Sequence, residues 1–71
     1  NQGRIDDAVH HLELAIQLEP KLASAHNSLG VAFAKSGQFQ KAVAAFERAL
    51  TISPQYDSAM QNLERARKLV K

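Results

Sequence analysis

The sequence predicts an all-α fold of about four helices, arranged as antiparallel pairs stacked into a short α–α solenoid fragment. Three observations predict it. The chain resembles itself at an offset of 34 residues, a period at which each unit is one supersecondary piece resting on its neighbour. Apolar residues recur at three- and four-residue steps, the spacing of one helix face. Glycine and proline stand where such helices must end. Gly3 pairs with Gly37 and Pro20 with Pro54 across the offset. Ala8, Val9, Glu13, Ala15, Ser24, Ala25, Leu29 and Ala32 find identical residues at Ala42, Val43, Glu47, Ala49, Ser58, Ala59, Leu63 and Ala66. Ile5 with Phe39, Leu12 with Phe46, Ile16 with Leu50 and Leu18 with Ile52 keep apolar character.

The first helix is expected over about residues 4–18, with Ile5, Val9, Leu12 and Ile16 as its stripe. Asp6 and Asp7 then fall in its first turn, at the positive end of the helix dipole. Pro20 follows its end. The second helix is expected over 22–36, with Leu22, Ala25, His26, Leu29, Ala32 and Phe33 on one broad face. Gly37 closes it, because glycine tolerates the left-handed backbone of a helix C-terminus. The third helix is expected over 39–52, with Phe39, Val43, Phe46 and Leu50 on one face, and Pro54 restarts the chain. The fourth is expected over 56–70, with Tyr56, Met60, Leu63, Ala66 and Val70 as its stripe. Short connections make successive helices antiparallel. Gly30 lies mid-helix at a cost of roughly 1 kcal/mol relative to alanine. A close helix crossing that leaves no room for a side chain accounts for it.

At 71 residues the chain is one folding unit with a thin core. It has no cysteine, which excludes a disulfide, a thiolate zinc site and a cysteine nucleophile. No apolar run approaches the roughly 18 residues of a membrane span, so membrane insertion is not expected. Hydrophobic residues make up 45% and charged residues 23%, the balance of a folded rather than a disordered chain. Charge is uneven. Residues 1–20 hold Asp6, Asp7, Glu13 and Glu19 against Arg4, a net of −3, and residues 21–71 carry +5. The basic cluster Arg65, Arg67, Lys68 and Lys71 lacks a flanking aromatic and is small for a nucleic-acid stripe, so no nucleic-acid partner is expected.

The residues Leu29, Gly30, Phe33, Gly37, Ala42, Phe46, Ala49, Leu50 and Pro54 make residues 23–56 resemble one complete unit of the tetratricopeptide repeat family. Residues 1–22 resemble the second helix of a preceding repeat, through Gly3, Ala8, Leu12, Ala15, Ile16 and Pro20. Residues 57–71 resemble the first helix of a following repeat or a capping helix, through Ala59 and Leu63. The resemblance implies a right-handed superhelix whose concave face is lined by the first helix of each repeat and takes peptides or partner helices.

The departures are informative. His26 stands where the family has a large aromatic, and Leu12 replaces another. Glu64 and Arg67 stand where Gly30 and Phe33 stand one period earlier, as a polar terminal cap requires. Asn1, Gln2 and Gly3 read as the turn inside a repeat, so the first helix lacks one neighbour. Its counterpart position being Arg48, Leu14 joins Val9, His11 and Leu18 in a second apolar edge, the place for self-association or for further repeats of a longer chain.

No residues point to catalysis, and no cofactor is implied. The serines and the histidines His10, His11 and His26 fall in no nucleophile–base arrangement. His10 and His11 point about 100° apart on one helix and do not share a metal ion, so they read as surface residues. His26 reads as a packed, hydrogen-bonded side chain, and Ser24 and Ser58 as helix starts or concave-face residues. The expected function is therefore a non-catalytic protein–protein interaction module that presents a groove to a peptide or partner protein. The alternative is a scaffold that associates through the edge of its first helix, with a possible homo-oligomer. By the resemblance the groove is lined by Ser24, Asn27, Ser28, Val31 and Lys35, then by Gln61, Asn62, Arg65 and Lys68. Asn27 and Gln61 offer hydrogen bonds to a peptide backbone. Arg65 and Lys68, three apart on one face, suit a carboxylate. The compartment is left open, with a slight preference for the cytoplasm.

Overall fold

The computed structural model describes residues 2–70. It contains four helices: α1 (Gln2–Leu18), α2 (Ala23–Lys35), α3 (Phe39–Ile52) and α4 (Asp57–Leu69). α3 packs on both α2 and α4, α1 packs on α2, and α2 touches α4 lightly. Among the described residues α1 and α3 do not meet. The helices therefore form two layers in a slab of 30 × 29 × 15 Å, with α2 and α4 in one and α1 and α3 in the other. In the first layer α2 and α4 touch, whereas in the second α1 and α3 stand apart.

The periodicity places the helix bodies within a residue or two, and the turns follow from local chemistry. At the end of α2 the Gln38 N–H donates to the Phe33 carbonyl at 2.9 Å, and the Gly37 N–H to that of Ala34 at 3.1 Å. This paired closure requires a left-handed residue, and Gly37 supplies it at φ 80°. The two proline turns are copies of each other. Leu22 N–H donates to the Glu19 carbonyl at 3.2 Å, and Tyr56 N–H to the Ser53 carbonyl at 3.1 Å. Each places proline at the second turn position, where its fixed φ suits the bend. Leu22 and Tyr56 are then the N-caps of α2 and α4, and neither helix start has a side-chain cap. Ser24 and Ser58, read from sequence as helix starts or concave-face residues, do not cap those starts and lie exposed inside the first turns.

The beginning of α1 differs from expectation. Gly3 lies inside the helix, not in a turn. Gly37 is held left-handed because it closes α2, and among the described residues no helix precedes Gly3 for it to close. Asn1 lies outside the described residues. The early start also moves Asp6 and Asp7 out of the first turn.

The core is a seam of small residues around one ring. Phe46 is 1% exposed and is grouped with Ala42, Leu63 and Ala66; Val31, Phe33, Ala34, Val43 and Leu50 pack against that group. Gly30 faces the same ring. A Cβ built there would lie 2.6 Å from Phe46 Cδ1 and 2.8 Å from Cζ, closer than carbon atoms approach. The close crossing inferred from Gly30 is thus the seat of a buried phenyl ring. His26 is buried, and its Nε2–H donates to the Pro20 carbonyl at 3.0 Å, which fixes α2 to the turn before it. On α4, Ala59, Leu63 and Ala66 are buried against α3, whereas Met60, expected in the same stripe, is exposed. Met60 corresponds to His26, which lies between residues of α1 and α3, whereas among the described residues α4 packs chiefly on α3 alone.

Candidate functional site

The face that carries the predicted groove is made by α2 and α4, which run in the same direction with α3 antiparallel between them. They are tied together near their starts. The Asn27 Oδ1 accepts from Asn62 Nδ2 at 3.1 Å, and Asn27 Nδ2 donates to the Tyr56 hydroxyl at 3.4 Å. Beyond this link lies a hollow of about 280 Å³ toward the helix C-termini. Val31, Ala34 and Lys35 form one wall, and Asn62, Arg65, Ala66 and Leu69 the other. Phe39 and Phe46 of α3 form the floor.

Of the nine groove residues expected from sequence, Val31, Lys35, Asn62 and Arg65 are brought together here. Asn27 is at the closed end, where its amide is engaged by Asn62 and Tyr56 rather than offered to a ligand. Ser28 faces the opposite way, into a hollow of about 460 Å³ between α1 and α2, with Arg4, Ile5, Ala8 and Leu12 across from it. Ser24, Gln61 and Lys68 are exposed and line neither hollow. Phe39, Phe46 and Ala66 were missed as lining residues because they count as core by periodicity. A helix from the second layer becomes a floor only when the two helices above it part.

Chemically the α2–α4 hollow is an apolar floor between two cations. Lys35 and Arg65 are both exposed, and no carboxylate lines it. Arg67, two residues further along α4, instead meets Glu47 at 3.2 Å on the open surface. Lys71, the last of the basic cluster, lies outside the described residues.

The second surface singled out from sequence is the outer edge of α1. Leu14 is 43% exposed and Leu18 84%, and His11 is exposed beside them. Val9 is half-buried, turned toward the body of the fold. The rings of His10 and His11 lie 6.0 Å apart, tilted by 58°, and both side chains face solvent. Among the described residues no cluster of histidine and acidic side chains has the makings of a metal site. No helix among them is long and apolar enough to cross a membrane.

Comparison with known proteins places this geometry. Residues 1–57 match a family model described as the tetratricopeptide repeat. The chain is 35% identical over 54 residues to Superkiller protein 3 of Schizosaccharomyces pombe, covering 76% of this chain and 4% of that protein. It is 33% identical over 52 residues to small glutamine-rich tetratricopeptide repeat-containing protein 2 of Mycosarcoma maydis, covering 73% of this chain and 15% of that protein. The chain thus spans less than a sixth of the length of either relative.

Proposed function

Because the chain belongs to the tetratricopeptide repeat family, we propose that it is a non-catalytic interaction module whose α2–α4 hollow holds an extended peptide segment carrying acidic and apolar side chains. The observation that carries this reading is the pairing of Lys35 and Arg65 across an apolar floor with no acid in the lining. A carboxylate of the ligand meets the Arg65 guanidinium, which accepts it in a planar, two-bonded geometry. An apolar side chain beside it rests over Phe39 and between Val31 and Leu69. Asn27 and Asn62 set the distance between the walls by holding α2 to α4. For Asn27 this is a change of role from the backbone-binding one that its polarity suggests in the sequence.

The test is fluorescence anisotropy with a labelled peptide of alternating aspartate and leucine, against a control in which lysine replaces aspartate. The acidic peptide should bind, and added salt should weaken it. Arg65→Glu should abolish binding while circular dichroism stays that of the native chain. Equal binding of both peptides, or an affinity indifferent to Arg65→Glu and Lys35→Glu together, refutes the assignment.

A further inference from the structure

From the hollow between α1 and α3 we infer a second docking site, which takes an amphipathic helix of a partner bearing a tyrosine between two acidic residues seven apart. The hollow measures about 440 Å³ and opens through the second layer, on the face opposite the α2–α4 hollow. α1 and α3 stand apart as its walls, and α2 passes beneath as its floor. All of its lining lies within residues 13–48, so the chain's own helices close it on both sides. The floor is apolar, with Leu29 buried and the Phe33 ring half-buried. A groove of this kind takes the apolar face of a helix.

Two independent observations define the occupant. The first is the pattern on α3. Lys41, Ala44, Ala45 and Arg48 are spaced as one helix face, and all line the hollow. The two alanines let another helix come close, and the cations at either end stand about 10 Å apart along the axis. Two acids seven residues apart on a helix have the same spacing, as in the flanking charges of a coiled coil. The Lys41 ammonium lies 5.7 Å from the centroid of the Phe33 ring, which holds it over the floor. Neither Lys41 nor Arg48 pairs with an acid among the described residues. Glu13, the acid in the lining, stands on the α1 wall and suits a base on the far edge of the same helix. The second observation is His26, 7% exposed and part of the floor. Its Nε2–H is spent on the Pro20 carbonyl at 3.0 Å, so Nδ1 is left as an acceptor. No group among the described residues donates to it. It is not sealed within the fold either, because no buried side-chain nitrogen there lacks a partner. It therefore faces the hollow that His26 lines. A purely apolar side chain would cover the floor and leave Nδ1 dry and unpaired, which is costly. A phenol covers the floor and donates to Nδ1.

The test is fluorescence anisotropy with a labelled, alanine-rich helical peptide carrying glutamates seven apart and a tyrosine midway, alongside the same peptide with phenylalanine. The tyrosine peptide should bind, and phenylalanine should weaken it roughly fivefold, the loss of one buried hydrogen bond. Lys41→Glu and Arg48→Glu should each weaken binding several-fold, most at low salt. Ala44→Trp should abolish it by filling the hollow, whereas Arg65→Glu, in the α2–α4 hollow, should leave it unchanged. All four positions are exposed, and circular dichroism of each variant verifies the fold. Absence of binding overturns the inference, and so does equal affinity for the tyrosine and phenylalanine peptides. Loss of binding with Arg65→Glu but not with Ala44→Trp puts the peptide in the other hollow and refutes the site. A proline in mid-peptide that leaves the affinity intact refutes a helical occupant. Self-association of the chain that Ala44→Trp abolishes makes a second copy the occupant, which overturns the inference too.

Discussion

Substituting Gly30 by alanine sets two effects of opposite sign against each other, and the structure decides between them. Alanine in a helix interior is favoured over glycine by about 1 kcal/mol. The new Cβ, however, would stand 2.6 Å from Cδ1 and 2.8 Å from Cζ of Phe46. Carbon atoms prefer about 3.5–4.0 Å, so the ring must retreat by about 1 Å. It has little room, being 1% exposed and hemmed in by Ala42, Leu63 and Ala66. Overpacking of this kind costs about 1–3 kcal/mol. The net expectation is a loss of about 1 kcal/mol, read as a fall of about 4–8 °C in Tm for a chain of this size. The assay is thermal and urea unfolding followed by circular dichroism at 222 nm, the usual helix band. The same substitution in a Phe46→Leu background should cost less, since leucine lacks the Cε1 and Cζ atoms of the clash while the helical preference remains. If Gly30→Ala raises Tm in the native background, or has the same effect in both, the close-packing account of Gly30 is wrong.

Three other outcomes are expected. Gly37→Ala should lose about 1–2 kcal/mol, because a left-handed backbone at φ 80° strains any Cβ even though nothing lies within 4 Å of it; Gly37→Asn should lose less, and urea midpoints distinguish them. Phe46→Ala should lose about 3–5 kcal/mol by emptying the centre of the seam, enough that far-ultraviolet circular dichroism at 37 °C should report a largely unfolded chain. Asn27→Ala should cost about 1 kcal/mol by leaving Asn62 and Tyr56 without their partner, and hydrogen exchange should quicken in α4 more than in α3.

Much of this architecture was legible because its causes are local. The run of Val43, Phe46 and Leu50 on one face, the glycine before Phe39 and the proline after Ser53 each act within a turn or two of chain. They place α3 with no knowledge of what it touches. The same holds for His26, whose apolar surroundings on α2 foretold a packed, hydrogen-bonded ring. The groove was legible only in part. The resemblance implies that α2 and α4 line one face together, and with them Val31, Lys35, Asn62 and Arg65. It does not say that Asn27 closes one end by binding Asn62 and Tyr56, or that Ser28 turns to the other side.

The sequence by itself determined the helices, their turns and the order in which they stack, because hydrophobic period, backbone strain at glycine and the fixed φ of proline are properties of neighbouring residues. The tertiary structure alone decided which polar side chains are consumed inside the fold and where two helices part over Phe39. It also decided which face of α1 is left uncovered. Those features depend on distances between segments far apart in the chain, and a pattern read along one helix carries no measure of the gap to the next.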